Sequence, residues 1–414
     1  MTETSVGPAG QAVNAASPTD GALTGVRVID LSTVVSGPFA TAILADQGAD
    51  VIMVEQTGAA TPVGSHPVRT AETPVTALFA SQNRNKRSVA VDLQSEDGKD
   101  LVKALVAEAD VLVENFGSGE ADRLGLGWEV LSAINPDLVM CSITGFGSDG
   151  PHAHRPATDA VVQAVAGYMM VQADEQGAPR LVNTIICDKL TSVNVAQSVC
   201  AALVARANGA GGQHLDLAMI DAAIHFLWPE SMWNYTYLEH QTDMPDLSAI
   251  YTLYRSKDGW AMVYPVATEA HWSGMCKALG RPDLAADPRF ADLQGRVLYG
   301  DEVNEELQAE MLNYTTTELV ELMDRADVPA APVNTREAMM QDSHVQQRGM
   351  VVETIQPSLG PLRQARPAAL FSRTPSSLRR PAPAFGEHTA DVLAELTGRT
   401  EQEIAELRAL GVIS

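Results

Sequence analysis

At 414 residues, with 45% hydrophobic and 19% charged side chains, the chain has an ordinary globular composition and more length than one compact core uses, so two domains are expected. Its 52 Asp and Glu against 28 Lys and Arg give a net charge of −24, which repels nucleic acid and anionic membrane surfaces; neither is expected as a partner. No stretch approaches the roughly 18 uninterrupted apolar residues of a membrane span. Cys141, Cys187, Cys200 and Cys276 form no CxxC pair and have no His-rich neighbourhood, so neither disulfides nor a metal site is expected, and a reducing cytoplasmic setting is.

Residues 1–22, rich in Gly, Ala, Ser and Thr and without Lys or Arg, read as a flexible leader rather than a signal peptide. Strands and helices then alternate. Strands are expected at Val26–Leu31, Ala49–Glu55, Ser88–Leu93, Asp110–Asn115 and Leu138–Ile143. Helices are expected at Phe39–Gln47, where Pro38 suits the first turn and Gly48 the end, at Asp97–Ala109 and near Trp128–Ile134. Short apolar strands separated by helices imply a parallel sheet covered on both faces, which binds ligands beyond the carboxyl ends of its strands. Next come a Pro- and Gly-free helix from Thr191 to Arg206, a strand His214–Met219 and a helix opened by Asp221. The segment Phe226–Tyr237 is dense in aromatic residues and opens a region of different character. The Pro- and Arg-rich stretch Gly360–Gly386 reads as an extended segment wrapping a surface, followed by helices at Glu387–Leu396 and Glu401–Leu410.

Several local patterns carry chemistry. Gly145-Phe146-Gly147-Ser148-Asp149-Gly150 is a literal GxGxxG, but Pro151 and the His152–Pro156 segment stand where a dinucleotide site needs a helix. It reads as a loop that lets backbone approach a ligand, and no nucleotide redox cofactor is expected. His152 and His154 lack a third ligand at metal spacing. Ser36-Gly37-Pro38 is a tight strand-to-helix turn. Asn83-Arg84-Asn85-Lys86-Arg87 is a basic cluster that reads as a solvated loop or as a phosphate-contacting patch. Glu114-Asn115-Phe116-Gly117 ends the fourth strand, where such a sheet binds its ligand. Asp188 ends an apolar run and opens a helical one: it is either a helix N-cap or a carboxylate nucleophile aimed from a helix start.

In this order and spacing the motifs resemble the class III CoA-transferase (CaiB/BaiF) family from about Leu23 onward. They are Leu23–Leu31, Ser36-Gly37-Pro38, Leu44–Val51, Glu55, Asn85–Val89, Asp92-Leu93, Val113–Gly117, Gly145–Gly147, Asp188, Arg206, Gly212-Gln213, Ala331–Val333 and Gly386–His388. The resemblance implies an α/β fold, with a Rossmann-like parallel-sheet large domain, a smaller α+β domain and an interlocked homodimer. The large domain would span 23–223 and 328–414, and the small domain 224–327. It implies Asp188 as nucleophile in a ping-pong exchange of CoA between an acyl-CoA and a small carboxylic acid. Coenzyme A contacts would fall on Val35, Val91, Asp92, Leu93, Gln94, Asn115, Phe116, Gly117, Arg123 and Arg155, in a cleft that also holds Lys86 and Arg87.

Departures from the family pattern at Val35, Gln56 and Ser192 point away from a formyl or oxalyl group and towards a more apolar acyl group. Trp228, Trp233, Tyr235 and Tyr237 would line its pocket or a subunit interface. Two alternatives stand beside transfer. One is 2-methylacyl-CoA racemisation, disfavoured because Thr158-Asp159 stands where racemases carry His-Asp; the other is CoA binding without catalysis.

Overall fold

The computed structural model describes residues 21–57, 75–174, 176–240, 242–244, 247, 251–264 and 268–414; the leader expected over 1–22 therefore lies almost wholly outside the described residues. Six parallel strands form the main sheet: β1 (Arg27–Asp30), β2 (Asp50–Gln56), β3 (Arg87–Val91), β4 (Val111–Glu114), β5 (Val139–Thr144) and β6 (Gln213–Ala218), in the order β3-β2-β1-β4-β5-β6. Each agrees with its expected strand to within a few residues.

Both faces of the sheet are buried, so successive residues of one strand enter different cores. Val28, Val51, Val111 and Val139 join one cluster with the helices Ser36–Asp46 and Ile186–Ala205. Ile29, Ile52, Leu112 and Met140 join the other with Glu96–Ala107, Trp128–Ile134, Thr389–Thr397 and Glu401–Ala409. Burial on both faces is why these strands read as continuous apolar runs without alternation. The chain end covers the outer strand β3: the Ser88 amide donates to His388 Nδ1, the Gly386 amide to Ser88 Oγ, and Ile413 bridges to Val91. An edge so covered is not open for pairing with another chain.

Two compact units emerge, one reaching Leu227 and resuming at Gly349, the other spanning Trp228–Arg348. The second unit runs past the expected end at 327 for a plain reason. Val328 is buried in its core, and β9 (Ala330–Pro332) pairs with β8 (Trp260–Val263), which pairs in turn with β7 (Thr252–Arg255), both antiparallel. The Gly360–Gly386 stretch starts with β11 (Gly360–Ala365), the second arm of a hairpin with β10 (Val351–Gln356). It then runs on without regular structure against Asp46, Asn85 and Ser88.

The basic cluster before β3 is internal and is not a phosphate patch. Lys86 is fully buried, its Nζ donating to Asp30 Oδ2 (2.9 Å), Asn83 Oδ1 (2.8 Å) and the Pro38 carbonyl (2.9 Å). Arg84 forks onto Asp46, and Arg87 onto Asp50 and Glu395. Burial drives the Lys86 ammonium below its ordinary pKa, and the Asp30 carboxylate opposes that shift. Removing one partner from such a pair strands a buried charge. Lys86→Ala is accordingly expected to lower stability by about 3–5 kcal/mol in urea unfolding. A loss below about 1 kcal/mol would mean that the pair is not structurally important.

Candidate active site

The strand order reverses between β1 and β4, so the segments leaving these two strands diverge and open a crevice at their carboxyl ends. A cavity of about 620 Å³ occupies this place. Its walls come from Thr33, Val34 and Ser36 after β1, from Asn115 to Ser118 after β4, and from Thr144 and Gly145 after β5. The returning loop adds Ala153–Thr158, and two helices contribute Asp159 and Asp188.

Asn115 ties the two segments together across the switch point. Its Oδ1 accepts the Thr33 amide at 2.7 Å and its Nδ2 donates to the Thr33 carbonyl at 2.7 Å. The next residue, Val34, has φ 67° and an exposed side chain in the cavity wall. A β-branched residue in the left-handed region costs about 1–3 kcal/mol, and the paired Asn115 hydrogen bonds help impose it. Below, the buried Glu114 carboxylate accepts the Phe116 amide at 2.7 Å and fixes the start of the Phe116-Gly117 loop. Burial foremost, with the charges of Asp122 and Asp216 adding to it, pushes the Glu114 carboxyl up to about 7. At Gly145 an added Cβ would fall 2.0 Å from that of Ala157, so only glycine lets the loop close back over β5. No helix follows Gly145–Gly150 until Asp159, in keeping with a loop that is not a dinucleotide fingerprint.

The long helix starts at Ile186, five residues before the expected Thr191, and Asp188 sits inside its first turn. Asp188 is therefore not the N-cap. Ile185 holds that position without a side-chain cap, and the first-turn amides of Cys187 (2.7 Å) and Asp188 (3.2 Å) donate instead to Oδ1 of the buried Asp159 on another helix. Gln163 Nε2 donates to Asp159 Oδ2 at 2.6 Å. Ser192 Oγ lies 2.8 Å from the Ser36 carbonyl and 2.9 Å from that of Asp188, tying the helix start to the helix Ser36–Asp46. The Asp188 carboxylate itself has no hydrogen-bond or ion-pair partner among the described residues, and it faces the cavity. Burial foremost, then the Asp159 charge, pushes its carboxyl up to about 7.

Of the residues expected at a CoA site, Asn115, Phe116, Gly117, Arg123 and Arg155 join Asp188 in this one cavity. Arg123 pairs with Glu120, and Arg155 Nη1 donates to His152 Nδ1 at 3.4 Å. Val35 is buried in the core, and Val34 takes the cavity wall in its place. Val91, Asp92, Leu93 and Gln94 do not line the cavity. Val91 ends β3, two strands from β1, and the others follow it, where Gln56 Nε2 donates to Asp92 Oδ1 and the Asp92 amide to the Val412 carbonyl. Tyr235 and Tyr237 are exposed. Asp159 and Gln163 were not singled out as site residues. Their spacing of four on one helix, with the carboxylate at its first position, was the available signal.

The model of CoA-transferase family III matches residues 23–389 of this chain. A succinate–glutarate CoA-transferase from Agrobacterium fabrum is 35% identical over 389 residues, covering 90% of this chain and 95% of its own. The beta subunit of a succinyl-CoA–L-malate CoA-transferase from Chloroflexus aurantiacus is 33% identical over 401 residues, covering 94% and 98%. Among solved structures, a CAIB/BAIF family protein from Brucella suis superposes with a TM-score of 0.79 at 30% identity, covering 91% of this chain and all of that one. With the six-stranded parallel sheet and a cavity at its switch point, these matches establish that the chain belongs to CoA-transferase family III and is an acyl-CoA:carboxylate CoA-transferase.

Proposed function

We propose that Asp188 carries the transfer covalently. Its carboxylate oxygen attacks the thioester carbonyl, the carbon–sulfur bond breaks, and CoA leaves as a thiolate beside an acyl-aspartyl anhydride. The thiolate then attacks the aspartyl carbonyl, forming an aspartyl-CoA thioester and releasing the donor carboxylate. An acceptor carboxylate reverses both steps. A carboxylate enters and a carboxylate leaves, so no net proton moves and no general base is required. The observation that carries this reading is the unpartnered, largely buried Asp188 carboxylate facing a cavity at a helix start.

CoA would lie along the Phe116-Gly117 loop, with Arg123 near its phosphates. Arg155 in the cavity wall and the names of the two relatives support a short dicarboxylate, such as succinate or glutarate, as acyl group in place of the apolar one expected from the sequence departures. A panel of acyl-CoA donors and acids read by mass spectrometry tests this; transfer confined to apolar monocarboxylates would reject it.

The working unit in this reading is an interlocked homodimer. Exposed Val161, Val165, Met170, Val171, Val193 and Val204, on three helices of the first unit, supply apolar surface that a second copy would cover. Sedimentation at nanomolar concentration is expected to give a dimer, and a stable folded monomer would exclude threading.

Asp188→Ala is expected to abolish transfer while leaving CoA affinity within a few-fold by calorimetry. Hydroxylamine should inactivate the wild-type enzyme only when acyl-CoA is present, with the adduct mapping to Asp188; full turnover by the Ala variant would overturn the mechanism. The pH profile supplies a second check. Protonated Asp188 cannot attack, so kcat/KM should lose about tenfold per unit as pH falls below about 7 and level off above it. An acid limb near the ordinary carboxylate range would contradict the largely buried, charge-flanked nucleophile described above.

A further inference from the structure

We propose, resting on the reading of Asp188 as nucleophile, that Asp159 is a positioning residue for it, holding the first turn of the long helix and setting a fixed negative charge beside the attacking carboxylate. Two observations carry this. First, one oxygen of Asp159 accepts the amides of Cys187 and Asp188, so the backbone that aims the nucleophile hangs on this side chain. Second, its other oxygen is engaged by Gln163, which is itself fully buried. Gln163 Nε2 also reaches the Val182 (3.3 Å) and Thr184 (3.1 Å) carbonyls, while its Oε1 accepts the Val182 amide at 3.1 Å. The Asp159–Gln163 latch thus orders the whole approach to the helix, residues 182–188, from one point. A cap alone would be served by Ser, Thr or Asn. The carboxylate does more, because its charge stands in the same cavity wall as Asp188.

The chemical consequence follows from Coulomb repulsion. Two adjacent carboxylates raise the free energy of ionised Asp188, and both the anhydride and the aspartyl-CoA thioester remove the charge from that side chain. Acylation relieves the repulsion, so Asp159 favours every covalent intermediate over the resting anion. The other charged or titratable groups around the pair are Arg123 after β4, His154 and Arg155 in the returning loop, and Cys187 and Lys189 on the long helix. Lys189 turns away to Thr184 Oγ1, and Arg123 and Arg155 are held by Glu120 and His152. None of them makes a hydrogen bond or ion pair with Asp188 or Asp159 through its side chain among the described residues.

Asp159→Asn separates the two roles, since it keeps an acceptor oxygen for both amides and removes the charge. Its Nδ2 then meets the Gln163 Nε2 donor, so the expected result is a modest loss of thermal stability, an acid limb of single-turnover acylation moved by one unit or more to lower pH, and acylation at least tenfold slower on the plateau. Asp159→Ala should lose acylation almost entirely. Carbon-13 NMR of labelled Asp side chains reads the Asp188 titration without reference to activity and should show the same downward move in the Asn variant. An Asn variant with unchanged limb, rate and titration would overturn the proposal, whether or not the Ala variant folds. Asp188→Ala, run in parallel, keeps the two readings apart. If it retains transfer, the parent mechanism fails; if it is inactive while Asp159→Asn behaves as wild type, only the role of Asp159 fails.

Discussion

The buried contact between Lys86 and Asp30 ties together the parts of the first unit on which the cavity depends. Asp30 closes β1, and besides Lys86 it accepts hydrogen bonds from the Ser32 amide and from Thr41 Oγ1 on the following helix. Lys86 in turn reaches the Pro38 carbonyl and Asn83, so one ammonium joins the end of β1, the start of the next helix and the approach to β3. With that turn anchored from below, the Thr33-Val34 backbone can be held from above by Asn115 in a conformation a valine would not otherwise take. The desolvation cost of the pair is the price of a rigid switch point.

How far the sequence was legible follows from the range of the forces involved. The six sheet strands were readable because burial on both faces leaves continuous apolar runs, a local signal. The basic cluster was misread because its partners are remote: Arg84 finds Asp46 at a separation of 38 residues, and Arg87 finds Glu395 at 308. Charge composition shows that cations are present and says nothing of which are already neutralised. The start of the long helix was missed for the same reason, since its first-turn amides are met by Asp159, 28 residues before Cys187, and local sequence shows no cap at Ile185. Asn115, Phe116 and Gly117 line the cavity because the end of β4 is a topological position that strand order alone singles out. Val91–Gln94 end a strand of the same sheet, yet β3 lies at its edge, away from the switch point.

The long helix also shows why hydropathy alone is a poor guide here. By length and composition, Ile186–Ala210 is apolar enough to cross a membrane. Yet Cys187, Val195, Ala196, Val199 and Ala202 pack into the core beside β4 and β5, and Ser192 is bonded to the preceding helix. Its apolar character serves two covers at once, the sheet on one side and, in the dimer we infer, a second copy over Val193 and Val204 on the other. A carboxylate in the first turn of so apolar a helix is poorly hydrated, and that follows from the core the helix must fill.

A net charge of −24 appears at odds with a polyanionic substrate, and the distances resolve the conflict. Exposed carboxylates are screened within roughly 8 Å at physiological salt, whereas a guanidinium in contact with a phosphate acts at hydrogen-bond distance, with about 1.5–3 kcal/mol per charge-assisted bond. Arg123 and Arg155 stand in the cavity wall, while Arg84, Lys86 and Arg87 are consumed by structural carboxylates and contribute nothing to the ligand. In the reading we propose, these local cations would decide CoA binding, and the acidic surface would set only the long-range field. Inside the cavity the sign reverses again at Asp159 and Asp188. In the mechanism we propose, a wall that carries two arginines and two carboxylates would attract the phosphates of CoA and disfavour the charge that acylation of Asp188 removes.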